Sequence, residues 1–176
     1  DVYKRQPVKW SSIIVSAYLP TLMSSLGYGA VIPLIPLTAV HIGASPALAA
    51  AIAALVGIGQ IIGDVPAGWL VTKIGEKWSL VIAMLIDAVA LVSMGLVHHL
   101  GLLAVAVLIN GMAGAVYGIA RQNYLTVAIP YRYRARALST LGGVFRVGWF
   151  VGPMAGSWIL REASMSWAYG FASVSY

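Results

Sequence analysis

Four ionisable residues sit inside long apolar runs: Asp64, Asp87, Arg121 and Arg146. A charge at the centre of a bilayer costs about 3 kcal/mol by insertion scales, so such residues pair, line water or do work. Asp64 with Arg121 or Arg146 is expected to form a cluster near one end of the runs, as a static pair, as a gate that opens, or as a place where substrate or a proton binds. Asp87 is expected near the middle of its run, facing another helix or carrying a proton. Tyr28 and Asn110 are uncharged polar residues expected to line a cavity. Other chemistry finds little support. There is no nucleophile–base set and no phosphate-binding glycine loop. His98 and His99 are adjacent, cannot both reach one metal from a helix, and have no third ligand nearby. The chain has no cysteine, which excludes disulfide and thiol chemistry. An enzyme, a metal site and an organic cofactor are therefore not expected; the ion to look for is a proton.

These residues need elements that can hold them in an apolar setting. The 176 residues are 60% hydrophobic and 9% charged, with a mean hydropathy of +0.88. About a quarter of residues are charged in typical soluble domains. The composition implies an all-α, polytopic membrane protein whose first partner is the lipid bilayer. Roughly twenty helical residues cross a bilayer core. Five runs reach that length, from about 10 to 39, 46 to 71, 78 to 97, 102 to 125 and 137 to 160, and a sixth begins near Trp167. Gly27, Tyr28, Gly29, Pro33 and Pro36 are expected to interrupt the first. Ser45-Pro46 reads as an N-cap with proline at the first helical position. In the second run Gly57, Gln60, Asp64 and Gly68 share a small, polar face suited to close helix contact or a water path. Gly111, Gly114 and Gly118 share a face with Arg121 in the fourth. Gly148, Gly152 and Gly156 form a ridge at four-residue steps in the fifth, with Arg146 projecting from the other side.

Orientation follows from the turns. Lys9, Lys73, Lys77, Arg132, Arg134 and Arg136 fall on one side and Arg161 on the other. The positive-inside bias then puts the N-terminus in the cytoplasm of a multi-pass protein of the cell membrane. The net charge of +6 belongs to these turns and is no nucleic-acid footprint. Both ends are expected to be scars. Residues 1–6 match a translated transposon mosaic-end adaptor of sequencing libraries, and 174–176 match its reverse complement; such segments stay outside fold reasoning. Residues 7–173 are then a piece of a longer protein.

Two stretches carry a family resemblance. Gly68, Leu70, Thr72, Lys73, Gly75, Glu76 and Lys77 lie in a charged turn between the second and third runs. It resembles the loop between helices two and three of the major facilitator superfamily, Gly-x-Leu-x-Asp-Arg/Lys-x-Gly-Arg-Arg/Lys. Thr72 stands at the aspartate position and Glu76 at an arginine position. Gly148, Gly152, Pro153, Gly156 and Ser157 resemble the antiporter signature Gly-x-x-x-Gly-Pro-x-x-Gly-Gly of proton-coupled drug exporters, with Ser157 at the last glycine. The arginine of the exporters' fourth helix would fall on Val107. The resemblance implies the N-terminal six-helix half of a carrier, with helices one to five and the start of six present. Such carriers rock two halves about a central site, so the missing C-terminal half is an implied partner, along with a small-molecule substrate. The implied activity is proton-coupled efflux of a small organic molecule by alternating access. Uptake by symport is the alternative within transport, and a non-transporting membrane sensor or assembly subunit the alternative outside it.

Overall fold

The computed structural model describes residues 17–162 and 165–174. The expected scar at 1–6, the expected scar at 174–176 except Val174, Lys9, and the expected first turns of helix one up to Ser16 lie outside the described residues. Among the described residues all regular structure is helical. Helix α1 is Leu19–His41, with Pro20 in its first turn, where a missing N–H costs nothing. It stays continuous through Pro33 and Pro36, which corrects the expected interruption. It closes in a Schellman motif: Gly43, at φ 105°, donates to the Val40 carbonyl and Ala44 to the Ala39 carbonyl, both at 2.9 Å.

A helical stretch Pro46–Leu96 follows. Ser45 caps it, its hydroxyl accepting from the Leu48 N–H at 3.3 Å. At Gly75, with φ 80° and ψ 165°, the stretch breaks into α2 (46–74) and α3 (76–96). The charged segment 68–77, expected as a turn, is therefore helical except at this one residue. Only glycine enters the left-handed region cheaply, so a single residue suffices. Helix α4 is Leu100–Ala128, α5 is Tyr131–Glu162 and α6 is Met165–Val174. The expected connection carrying Arg132, Arg134 and Arg136 is another correction. Helix α5 begins at Tyr131, directly after Pro130, and arginine is a good helix former. Arg134 turns back and donates through Nε to the Ile129 carbonyl at 3.1 Å.

Glycines set the helix order. A Cβ on Gly63 of α2 would lie 2.8 Å from the Met112 Cα and 3.1 Å from the Ala115 Cβ of α4, and Gly59 packs one turn earlier against Leu108 and Gly111. Contacts advance together, so α2 and α4 are parallel. Against α3 they run in opposition, Asn110 meeting Asp87 and Asn123 meeting Glu76. Helices α2 and α3 are thus antiparallel. On the other side α5 lies parallel to α1 through Gly148, Gly152 and Gly156, which meet Ser25, Gly29 and Ala30 at backbone distance. Backbones approach this closely only where side chains are absent.

Three helical stretches, Leu19–His41, Pro46–Leu96 and Leu100–Ala128, are long and apolar enough to cross a membrane; the second folds back on itself and supplies two crossings. Helix α5, at 32 residues, has the length as well. Large apolar side chains point outward along α2, α3 and α4, including Ile61, Val65, Leu85, Val89 and Val105. A soluble monomer rarely exposes so continuous an apolar surface, and such a surface suits the interior of a bilayer.

Candidate functional site

Two apolar clusters of buried side chains lie at the two ends of the bundle. Val31, Leu34, Ile35, Ile52, Leu91 and Leu103, with neighbours reaching Tyr169 of α6, fill the end that carries Ser45 and His99. Ala17, Leu125, Ile129, Ala137 and Leu141 fill the basic end. Between them the facing side chains become polar. In α1, Thr21 and Ser24 are buried, and the Ser24 hydroxyl shares a hydrogen bond of 3.1 Å with the Tyr117 hydroxyl of α4. One turn along, Gln60 of α2 donates through Nε2 to the Tyr28 hydroxyl at 2.9 Å. The Tyr28 ring lies 6.5 Å from the Phe145 ring of α5. The Arg121 guanidinium sits 5.3 Å from the Tyr117 ring and 5.1 Å from the Phe145 ring. Aromatic faces stabilise a cation by roughly 0.5–2 kcal/mol each, more where water is excluded, and here they tie α4 to α5. Tyr28, Gln60 and Arg121 are half-buried. Gly118, beside them, has open space around it.

A second polar contact lies deeper. Asp87 of α3 is 2% exposed and Asn110 of α4 equally so; the Asn110 amide donates to the Asp87 carboxylate oxygen Oδ1 at 2.5 Å. The expectation that Asn110 lines a cavity is thereby corrected. A carboxyl buried in an apolar core needs donors, and Asn110 is turned towards it. Asp87 does face another helix.

Elsewhere the sequence-expected residues are only partly brought together. Asp64 is exposed and among the described residues forms no ion pair with Arg121 or Arg146. Arg121 is held by aromatic rings, and Arg146 is exposed on the far side of α5. On α2 the tight contact uses Gly59 and Gly63; Gly57 and Gly68 have nothing within 4 Å of an added Cβ. Both glycine pairs sit at helical spacing, and composition cannot say which faces a neighbour. The signal for Gly59 and Gly63 was their continuation into Ala67, which is buried. Tyr117 was missed too, although it lies four residues before Arg121, on the same face.

At the basic end the motif residues form a small cluster. Leu70 is half-buried. The Thr72 hydroxyl donates to the Trp69 carbonyl at 2.8 Å, and the Lys73 ammonium lies 4.7 Å from the Trp69 ring. Glu76 accepts at Oε1 from the Asn123 amide of α4 at 2.8 Å, while Lys77 is exposed. Lys73 at the end of α2 and Glu76 at the start of α3 both suit the helix dipoles. A cleft of about 420 Å³ opens beside them, lined by Gly68, Thr72, Gln122, Asn123 and Thr126. In the α5 motif, Gly148, Gly152 and Gly156 are buried against α1, and Pro153 and Ser157 are exposed. The Ser157 hydroxyl is taken up by the Met154 carbonyl at 2.8 Å.

With this geometry in hand, relatives can be weighed. The Major Facilitator Superfamily pattern matches residues 17–176. A tetracycline resistance protein, class H, of Pasteurella multocida is 29% identical over 166 residues, covering 93% of this chain and 41% of that protein. An uncharacterized MFS-type transporter of Mycobacterium tuberculosis, found in two strains, is 24% identical over 163 residues, covering 93% of this chain and 24% of that protein. The chain thus spans between a quarter and two-fifths of the length of these curated relatives.

Proposed function

The chain belongs to the Major Facilitator Superfamily, and from that premise we propose that it forms the first lobe of a secondary active transporter exporting a small organic molecule in exchange for protons. The observation that carries this reading is the polar layer of Ser24, Tyr28, Gln60, Tyr117 and Arg121 between two apolar clusters. A polar layer at membrane depth serves water or a solute, and apolar clusters at both ends suit a path that opens to one side at a time. A class H tetracycline resistance protein among the relatives favours export. In this reading the basic end faces the cytoplasm. The motif around Thr72, Lys73 and Glu76 is an inner gate, and the glycine ridge of α5 a sliding contact on α1. Asp87, with Asn110, is the candidate proton carrier. The second lobe, in the rest of the transporter, supplies the opposing wall.

Everted membrane vesicles containing the complete transporter test this. Tetracycline is the first probe, followed by a panel of apolar dyes. Export predicts accumulation in everted vesicles when the lumen is acid. Accumulation confined to right-side-out vesicles with acid outside would instead mean uptake.

A further inference from the structure

Arg146 stands apart from the polar layer. It projects from α5 into a cavity of about 540 Å³, with Gly29 and Ile32 of α1 and Trp149, Phe150 and Pro153 of α5 as the other walls. No carboxylate lines this cavity among the described residues, and no hydrogen bond or ion pair engages the guanidinium there. The size lies within the range of small-molecule sites, which combine apolar and aromatic walls with a few polar groups. Gly29 closes one wall by packing directly on the α5 backbone: a Cβ there would lie 2.8 Å from the Trp149 carbonyl oxygen. Pro153 lacks the N–H that would otherwise bond that carbonyl.

The geometry points to this cavity as a binding site for a small organic anion, its carboxylate or sulfonate on Arg146 and its apolar body against Trp149 and Phe150. A cation at membrane depth is costly. A bound anion offsets that cost, and guanidinium matches a carboxylate with two parallel hydrogen bonds. The flat walls suit an aromatic body. This inference deepens the transport reading by naming a substrate class, and it rests on that reading only for the claim that the anion is carried.

Binding is measured apart from transport. The complete protein in detergent micelles is dialysed against radiolabelled 2-naphthoate and, separately, its neutral analogue 2-naphthamide. Naphthoate is expected to bind, and Arg146→Gln to weaken it by roughly tenfold or more, the scale of a lost charge-assisted bond. Arg146→Lys should lie between, and naphthamide should be unaffected by either change. Trp149→Ala should weaken both probes. The inference is overturned if wild-type protein does not retain naphthoate, if Arg146→Gln leaves its affinity unchanged, or if that variant weakens both probes alike while its thermal unfolding stays that of wild type. Retained Arg146→Lys binding guards against a folding artefact. Arg146-dependent binding without movement of any solute would sink the transport reading and leave the site standing.

Discussion

Replacing Gly152 by alanine would put a methyl carbon 2.5 Å from the Leu26 carbonyl oxygen and 2.8 Å from both the Ala30 nitrogen and the Gly29 Cα. All three are backbone atoms of α1, so no flexible side chain can swing away. Ordinary contact begins near 3.4 Å, so the helices must part locally by several tenths of an ångström to about 1 Å. Gaps of 0.5–1 Å forfeit a quarter to a half of the dispersion well for each atom pair left behind, and overpacking of this kind costs about 1–3 kcal/mol. Gly142 of the same helix supplies the control, because nothing lies within 4 Å of its added Cβ. There, alanine should gain roughly 0.5–1 kcal/mol through helix propensity. The two substitutions are chemically identical and share the propensity gain, so they should differ by the overpacking cost alone, about 1–3 kcal/mol. Unfolding of the complete protein in mixed micelles, followed by circular dichroism against denaturant, reads the difference. Equal stability of Gly152→Ala and Gly142→Ala would refute the close packing of α5 on α1.

At Gly75 the added methyl meets nothing within 4 Å, yet φ is 80°. With ψ at 165° the residue occupies a region open essentially to glycine alone, so Gly75→Ala and Gly75→Asn should each cost about 1–3 kcal/mol through backbone strain, as read by the same unfolding experiment. Asn110→Ala should lose about 1–3 kcal/mol, since it strips a buried carboxyl of a donor; in a double-mutant cycle with Asp87→Asn the two effects should fail to add by about 1 kcal/mol. Arg121→Gln and Phe145→Leu should likewise couple, by roughly 0.5–1 kcal/mol, because the ring and the guanidinium act as one contact between α4 and α5.

Helix number, approximate bounds and the small-residue ridge of α5 were legible because each rests on local pattern: length, apolar content and glycine spacing. Gly75 was legible as part of a turn, but the helical state of its neighbours was not. Lys73, Glu76 and Lys77 read as turn residues by charge, whereas all three are helical, and the positions of Lys73 at the end of α2 and Glu76 at the start of α3 suit the dipoles. The side-chain partners were mostly hidden. Asp64 was expected with Arg121 from their similar depth, but depth says nothing of rotation about the helix axis, and Tyr117 and Phe145 occupy the place next to the guanidinium. Asn110 faces Asp87 for the same reason: a residue chosen by its polarity turned out to be fixed by a buried acid on a helix 23 positions earlier.

Gly118 and Val65 together put alternation itself under test. Gly118 borders the polar layer with open space around it, while Val65 is 82% exposed on the apolar outer surface. This chain has no cysteine; with any cysteines elsewhere in the complete transporter replaced, single cysteines are placed at each site and exposed to a membrane-impermeant maleimide. Alternating access predicts that Gly118→Cys is alkylated in right-side-out and in everted vesicles, and Val65→Cys in neither, despite its greater exposure. Reaction of Gly118→Cys from one side only, or equal reaction at Val65→Cys, would contradict it.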